Sequence, residues 1–257
     1  MMCKWVLCGV VYFLFLLIAY PSWAVRPLIT DNTEVHGQEI CLLELNGQSD
    51  WNREDFSVRT AENTALPTLS DDIVENVDMI LRPPCLCEKS EASEVTIYDG
   101  QGCDTALETK VCLLEKNGFS TMALKPEIGV SNGNDKKGPD IGQQRGHLFL
   151  TAFQEWRAWA FLDNFGCVIN KNESDERRNI WHASFATIWE AVINFKLAAN
   201  VDIERNCDDE TNHDHAFSIG GIIYPINKNF DVNLGVKRGL SISATDLSLM
   251  TGVTFRF

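Results

Sequence analysis

Two short segments carry residue types that could do chemistry. In Cys207-Asp-Asp-Glu-Thr-Asn-His-Asp-His215, carboxylates and two histidines could together hold a divalent cation. Elsewhere His182 stands two residues before Ser184, which would put a base beside a nucleophile on one face of a strand. We interpret the first as an acidic, solvated loop tip. We interpret the second as a hydrogen-bonding pair, because no Asn-Gly follows Ser184 to orient the imidazole. The sequence therefore predicts no catalytic residue, no metal site and no cofactor.

Seven cysteines follow the first 24 residues, at positions 41, 85, 87, 103, 112, 167 and 207. Outside the cytoplasm, Cys85 or Cys87 could pair with Cys103 and close one external loop. The spacing Cys85-x-Cys87 is not the CxxC of zinc sites, and no second pair completes one. The alternative, which we favour, is a set of unpaired thiols.

The N-terminus reads as a cleaved signal peptide over residues 1–24. A basic start at Lys4 precedes an apolar run over 5–20, and small residues at Ser22 and Ala24 provide a cleavage site. A membrane anchor is the alternative. The net charge of −14 argues against nucleic acid as a partner. Because no later stretch approaches eighteen apolar residues, a membrane crossing would have to use strands.

The last twelve residues alternate strictly between two faces. Leu247, Leu249, Thr251, Val253, Phe255 and Phe257 share one parity, and small or polar residues fill the other. Twelve segments of this kind are predicted, with ten or fourteen left open. They lie at 38–46, 61–70, 77–87, 104–114, 119–131, 145–156, 158–169, 179–190, 194–205, 216–225, 230–239 and 246–257.

The connections between these segments alternate in length. Short ones fall at 71–76, 115–118, Arg157, 191–193 and 226–229. Longer polar ones fall at 88–103, 132–144, 170–178, 206–215 and 240–245. Short turns alternating with long loops are typical of outer-membrane barrels. The predicted fold class is therefore all-β, a single transmembrane antiparallel β-barrel of about twelve strands. It spans 38–257 after a periplasmic lead-in at 25–37.

Charged side chains in these segments lie opposite the apolar stripe and are predicted to line the lumen. Mixed charges across a narrow lumen could plug it or set its selectivity. Phe255 and Phe257 are predicted to be the assembly signal. The predicted lumen-lining residues are Glu108, Lys110, Lys125, Glu127, His182, Lys196, Asp202, Glu204, Lys237 and Arg256.

A series of short motifs, spread over most of the chain in order, resembles a family of outer-membrane barrels named for the MetA pathway of phenol degradation. The resemblance implies one outer-membrane barrel with a transport role and leaves the substrate open. The motifs are Arg26-Pro-Leu-Ile-Thr-Asp-Asn32, Leu66-Pro-Thr-Leu69, Glu75-Asn-Val-Asp78, Asp104-Thr-Ala-Leu-Glu108, Glu115-Lys-Asn-Gly118, Ala123-Leu-Lys-Pro126, Trp181-His-Ala-Ser184, Ile223-Tyr224, Asn229-Phe-Asp-Val232, Gly235-Val-Lys237 and Gly252-Val-Thr-Phe-Arg-Phe257.

The chain departs from the family pattern at several positions. Arg238 and Asp163 place charges on the apolar parity of their strands, where a charge faces lipid. Asp71-Asp72 replace an aromatic-Gly pair. Cysteines stand at 103, 112 and 167, where the family has glycine, arginine and an aromatic residue.

Together these features predict a passive channel or transporter for small molecules, aromatic or hydrophobic compounds among them, and not an enzyme. The expected location is the outer membrane of a Gram-negative bacterium. Expected partners are outer-membrane lipid, lipopolysaccharide and the barrel-assembly machinery. The alternatives are a plugged structural or adhesion barrel, and a lipid acyl hydrolase that uses His182 and Ser184.

Overall fold

In a computed structural model, the chain forms fourteen antiparallel strands, along which apolar and polar side chains alternate. The structure describes residues 27–30, 41–54, 58–74, 76–83, 86–91, 94–98, 105–116, 120–130, 145–170, 177–208 and 213–257. The strands are β1 (Cys41–Glu54), β2 (Val58–Val74), β3 (Val77–Arg82), β4 (Leu86–Glu91), β5 (Glu94–Tyr98), β6 (Thr105–Lys116), β7 (Ser120–Val130), β8 (Arg145–Trp156), β9 (Trp159–Asn170), β10 (Asn179–Val192), β11 (Phe195–Glu204), β12 (His215–Asn227), β13 (Phe230–Gly239) and β14 (Leu247–Arg256).

Twelve of these strands close into a barrel. Each pairs with its neighbours in sequence, and β1 pairs with both β2 and β14. Reciprocal backbone hydrogen bonds between Cys41 and Phe257, at 3.3 and 3.0 Å, complete the seam between first and last strand. The remaining two strands, β4 and β5, form a hairpin. In this hairpin β4 pairs with residues 61–65 of β2, whereas β3 pairs with the later part of β2, from residue 69 onward. Each of the twelve described strands of the wall therefore has a hydrogen-bonded neighbour on both sides.

The predicted barrel of about twelve strands is confirmed, with three differences near its beginning. The predicted segment 77–87 is divided, because β3 ends at Arg82 and β4 begins at Leu86. β1 and β2 extend well past the predicted segments and form one long hairpin. The predicted loop 88–103 contains β5 and most of β4. Val95-Thr-Ile-Tyr98 is rich in β-branched and aromatic residues, which favour a strand once an edge such as that of β2 is available.

The two ends of the barrel differ in their connections. At one end, here the short-turn end, the strands reverse within a few residues. Asn76, Arg157 and Asn194 adopt φ of 70°, 58° and 62° in three of these turns. Asparagine tolerates this left-handed conformation better than most residues. The opposite end, the long-loop end, carries the longer connections of the later strands, as predicted, but β1 and β2 are joined there by only three residues, 55–57.

The two faces of the wall have opposite chemistry. Outward side chains such as Leu107, Leu148, Phe165 and Leu249 are large, apolar and exposed, whereas many inward ones are polar or charged and buried. An apolar outer band around a polar interior is the pattern of a membrane-spanning barrel. Near the short-turn end Trp159 stacks on Trp189, with ring centroids 5.6 Å apart, as in the aromatic girdles of such barrels. Within the described segments, no helix has the length and hydropathy required to cross a membrane.

The predicted signal peptide, 1–24, lies outside the described residues, so its cleavage stays a prediction. Of the predicted lead-in at 25–37, only residues 27–30 are described. These four residues lie inside the barrel, where Leu28 and Thr30 are buried. The boundaries of the lead-in remain predictions.

Candidate functional site: the barrel lumen

A ladder of ion pairs crosses the inner wall from β3 to β8, towards the long-loop end. Glu108 is its centre. It accepts a hydrogen bond from Arg82 Nη2 at 3.0 Å, and its Oε1 lies 3.0 Å from Lys125 Nζ in an ion pair. Arg82 also pairs with Glu127, which lies 3.2 Å from His147 Nδ1. We call these five residues the charge ladder. Opposite charges on neighbouring strands compensate one another, which a buried charge requires.

A second ionic group lies across β10 and β11. His182 Nε2 is 3.1 Å from Asp202 Oδ2, and its Nδ1 is 3.2 Å from Glu204 Oε2. Both ring nitrogens therefore face carboxylates. Ser184 accepts a hydrogen bond from Thr30 instead. His182 is not positioned to activate Ser184, so the geometry gives the hydrolase alternative no support. The prediction that both side chains point into the lumen agrees with their burial.

Phe149 spans the wall between these two ionic groups. Its ring meets His147 edge-on at 6.0 Å and His182 edge-on at 5.2 Å. To reach across β9 the ring lies over Gly166, where a Cβ would come within 2.5 Å of the ring and of a neighbouring carbonyl. Glycine at 166 therefore lets Phe149 lie along the wall.

The inner wall is apolar on β8–β12 towards the short-turn end. One buried cluster joins these strands to the N-terminal segment through Leu28, which is 2% exposed. We call the wall part of this cluster the apolar collar. It consists of Phe153, Ala160, Leu162, Ala186, Ile188, Ala198 and Ile223.

Residues 27–30 pack against this part of the wall, and their shape is complementary to it. Pro27 packs over two glycines on adjacent strands, Gly221 and Gly235, which are paired in register. A Cβ at Gly235 would lie 2.5 Å from Pro27 Cβ and 2.8 Å from Pro27 Cγ, and the next nearest atom is Gly220 O, at 3.7 Å. A Cβ at 235 would therefore collide with Pro27, whereas its contact with the neighbouring strand at Gly220 O is an ordinary van der Waals distance.

Hydrogen bonds complete the seat. Thr30 Oγ1 donates to Ser184 Oγ at 2.8 Å and accepts from Asn200 Nδ2 at 2.7 Å. The Ile29 N–H donates to Asn200 Oδ1 at 3.1 Å. We call residues 27–30 the lumen segment. It occupies the barrel interior through apolar packing and a few polar contacts, with no charged side chain of its own.

All ten predicted lumen-lining residues lie on the parity that faces inward. Arg256 is 2.6 Å from Asp231, and Lys237 lies 5.2 Å over the ring of Phe217. Their role in transport or selectivity stays a prediction. Six are buried: Glu108, Lys110, Lys125, His182, Asp202 and Arg256. The other four, Glu127, Lys196, Glu204 and Lys237, are partly exposed.

The sequence prediction missed several inward polar residues. Asp78 and Arg82 oppose Val77, Met79 and Leu81 in β3, so strict alternation would have identified both. His147 likewise precedes the outward Leu148. No periodic signal marks the lumen segment, since a four-residue stretch carries neither a strand nor a helix pattern.

The acidic loop at 207–215, interpreted as a solvated loop tip, and the cysteines of the alternative disulfide fall largely outside the described residues. This applies to residues 209–212, Cys85 and Cys103. At the described edges of the loop, the backbone carbonyl of His213 accepts hydrogen bonds from Asn206 and Ser243. Among the described cysteines, Cys41, Cys112 and Cys167 are free thiols. Arg238 and Asp163, the two departures on the apolar parity, are both exposed on the outer face.

The sequence from residue 59 to 257 matches the family described as "Putative MetA-pathway of phenol degradation". None of the curated proteins matches the sequence significantly. The fold is similar to the COG4313 outer membrane channel from Pseudomonas putida F1, with a TM-score of 0.74 at 8% identity over 90% of this chain and 100% of that one.

Two porins have the same kind of fold. The NanC porin aligns with a TM-score of 0.55 at 9% identity, over 83% of this chain and 98% of the porin. The KdgM porin, solved in complex with disordered oligogalacturonate, aligns with a TM-score of 0.55 at 6% identity, over 83% of this chain and 99% of the porin. At these identities the likeness concerns the fold alone. Since the family match covers more than three quarters of the sequence, the chain belongs to this phenol-degradation family, and its fold is that of an outer-membrane barrel.

Proposed function

We propose that the protein is a passive channel for small molecules in the bacterial outer membrane. The observation that carries the proposal is the closed barrel with a charged inner wall and an apolar outer band. Such a wall suits a water-accessible pathway, which a purely structural barrel would not need. With the short turns in the periplasm, the charge ladder lies near the external mouth.

The lumen segment sets the resting state in this proposal. It occupies the lumen beside the apolar collar, and three hydrogen bonds involving Thr30, Ile29 and Asn200 hold it. Net contributions of about 1 kcal/mol per hydrogen bond make such a seat reversible. Passage of solute therefore requires the lumen segment to move, and the apolar collar favours aromatic or hydrophobic solutes over strongly hydrated ones.

The surroundings follow from the same proposal. Lipid and lipopolysaccharide cover the apolar outer band. The barrel-assembly machinery recognises the terminal strand, with Phe255 and Phe257 as its signal. Phe255 faces outward, and its ring centroid lies 4.8 Å from that of Phe230.

Ionic conductance of the refolded chain in planar bilayers tests the proposal. We expect small, infrequent openings from the natural sequence, and larger, longer ones from Gly235→Ala, whose methyl group displaces Pro27. Gly220→Ala is the matched control, because a Cβ at Gly220 meets nothing within 4 Å. A silent bilayer with both the natural chain and Gly235→Ala would favour the plugged structural barrel.

A further inference from the structure

Two asparagine side chains meet on the inner wall beside the apolar collar. Asn46 of β1 and Asn233 of β13 both pair in register with Gly252 of β14, which lies between them. A Cβ at position 252 would collide with Asn46 Oδ1 and lie 2.8 Å from Asn233 Nδ2. Glycine at 252 therefore lets both side-chain amides lie over the middle strand. We call these two side chains the amide pair.

Each member of the amide pair has an unused hydrogen-bond donor. Asn46 is 8% exposed and Asn233 is 5% exposed. Among the described residues, the Nδ2 atom of neither side chain has a hydrogen-bond partner. Leaving a buried N–H group unpaired is costly, so buried polar groups are generally satisfied by protein, water or a bound molecule. Two such donors over one glycine suit a hydrogen-bond acceptor that comes from outside the wall.

The wall is apolar on both sides of the amide pair. In the same row across the strands, Asn233 pairs with Ile223 of the apolar collar. On the other side, Asn46 pairs with Leu66 of β2. Met250, also inward on β14, is 3% exposed. The amide pair is thus a polar spot within an apolar stretch of the lumen, where a molecule with an apolar body and one polar atom would fit.

The charges nearest to the amide pair along the wall favour an uncharged molecule. In the adjacent inward row, towards the short-turn end, the charged residues on β1 and β13 are Glu44 and Asp231. Arg256 neutralises Asp231 at 2.6 Å, whereas Glu44 accepts a hydrogen bond from the hydroxyl of Thr254. An anion at the amide pair would be repelled by Glu44, and an uncharged oxygen acceptor would not.

We propose that the amide pair binds the carbonyl oxygen of an uncharged solute with an aromatic body. The two Nδ2 groups donate to the oxygen, and the apolar side chains beside them contact the ring. Pro27 of the lumen segment packs over Gly235, which lies two residues from Asn233 on the same face of β13. Displacement of the lumen segment therefore gives the solute access, a step that rests on the proposed function.

NMR of the refolded chain in detergent micelles, with isotope-labelled asparagine, tests the inference without requiring conduction. The probes are acetophenone, ethylbenzene and benzoate, which share a ring and differ in the oxygen acceptor and its charge. We expect acetophenone to move the side-chain amide protons of Asn46 and Asn233 downfield in a saturable manner, and ethylbenzene to leave them in place. Benzoate binds about tenfold more weakly at neutral pH, because its charge faces Glu44.

Asn46→Leu and Asn233→Leu are nearly isosteric and assign the two signals. Each removes one donor and weakens the binding of acetophenone about fivefold, as followed on the amide that remains. Gln48→Met is the matched control, since Gln48 is also an amide on β1 but already donates to Asp50 at 2.9 Å. It leaves the titration unchanged. Gly235→Ala, which displaces Pro27, is expected to tighten the binding of acetophenone.

Three results would overturn the inference. The first is the lack of a saturable shift in both the natural chain and Gly235→Ala, as expected if the amide pair holds only water. The others are equal shifts with ethylbenzene and tighter binding of benzoate. A saturable acetophenone shift together with a silent bilayer would support the site and contradict the proposed function, so the two failures are distinguishable.

Discussion

The two halves of the lumen are filled by different kinds of side chain. Towards the long-loop end, charged side chains from β3 to β8 neutralise one another in the charge ladder. Towards the short-turn end, on β8–β12, apolar side chains form the collar, and a separate piece of the chain fills the space between them. In the half near the long-loop end, charges pair with one another within the wall. In the half near the short-turn end, the lumen segment packs against the apolar collar.

The difference has a physical consequence for permeation. Paired charges on a wall remain compatible with water, because the partly exposed side chains of Arg82 and His147 can be solvated from the open end. An apolar constriction excludes water and gates by dewetting. We infer that the charge ladder sets which solutes enter, whereas the collar and lumen segment set how often the pathway opens.

The largest effect is expected from breaking the charge ladder at Glu108. Glu108→Ala leaves Lys125 buried without its 3.0 Å partner, and removing one member of a buried pair costs about 3–5 kcal/mol. Urea unfolding of the refolded barrel, followed by tryptophan fluorescence, measures this loss. The double variant Glu108→Ala/Lys125→Met is expected to regain most of it. A loss below about 1 kcal/mol in the single variant would show that the ladder is solvated and energetically minor.

A smaller effect is expected at the centre of the collar. Leu28→Ala removes most of a buried leucine side chain from the lumen segment, a loss of about 2 kcal/mol. If seated and displaced forms exchange, the displaced fraction rises about thirtyfold, because 1.4 kcal/mol corresponds to a tenfold change. Open probability in single-channel recordings measures it. An unchanged open probability would show that the lumen segment does not gate the pathway, and would contradict the proposed difference between the two halves of the lumen.

The smallest effect is expected from the polar part of the seat. Thr30→Val is nearly isosteric and removes both the donor to Ser184 and the acceptor for Asn200. Asn200 keeps its bonds to the carbonyls of Phe185 and Val201. The loss is therefore about 1 kcal/mol, or about fivefold in open probability. Recordings of Thr30→Val beside Leu28→Ala would rank the two contributions, and a larger effect of Thr30→Val would reverse the ranking.

The fold could be predicted from residues close together in the sequence, whereas the contacts within the site could not. Strands such as β11 were predictable because Ala198, Asn200 and Asp202 alternate with Leu197, Ala199 and Val201, and the pleat converts that alternation directly into two faces. The partners within the lumen were not predictable, because parity places Glu108 inside the barrel without saying which cations it meets. Barrel closure and strand register choose Arg82 and Lys125.

The sequence by itself determined the alternation of the two faces, the short turns and a barrel of about twelve strands, since these depend on neighbours a few positions apart. Only the tertiary structure decided that the lumen segment lies inside the wall, and that a hairpin of β4 and β5 pairs with residues 61–65 of β2. Thr30 meets Ser184 and Asn200 across 154 and 170 residues of chain. No local pattern encodes such contacts, because they exist only after β1 and β14 have closed the barrel around them.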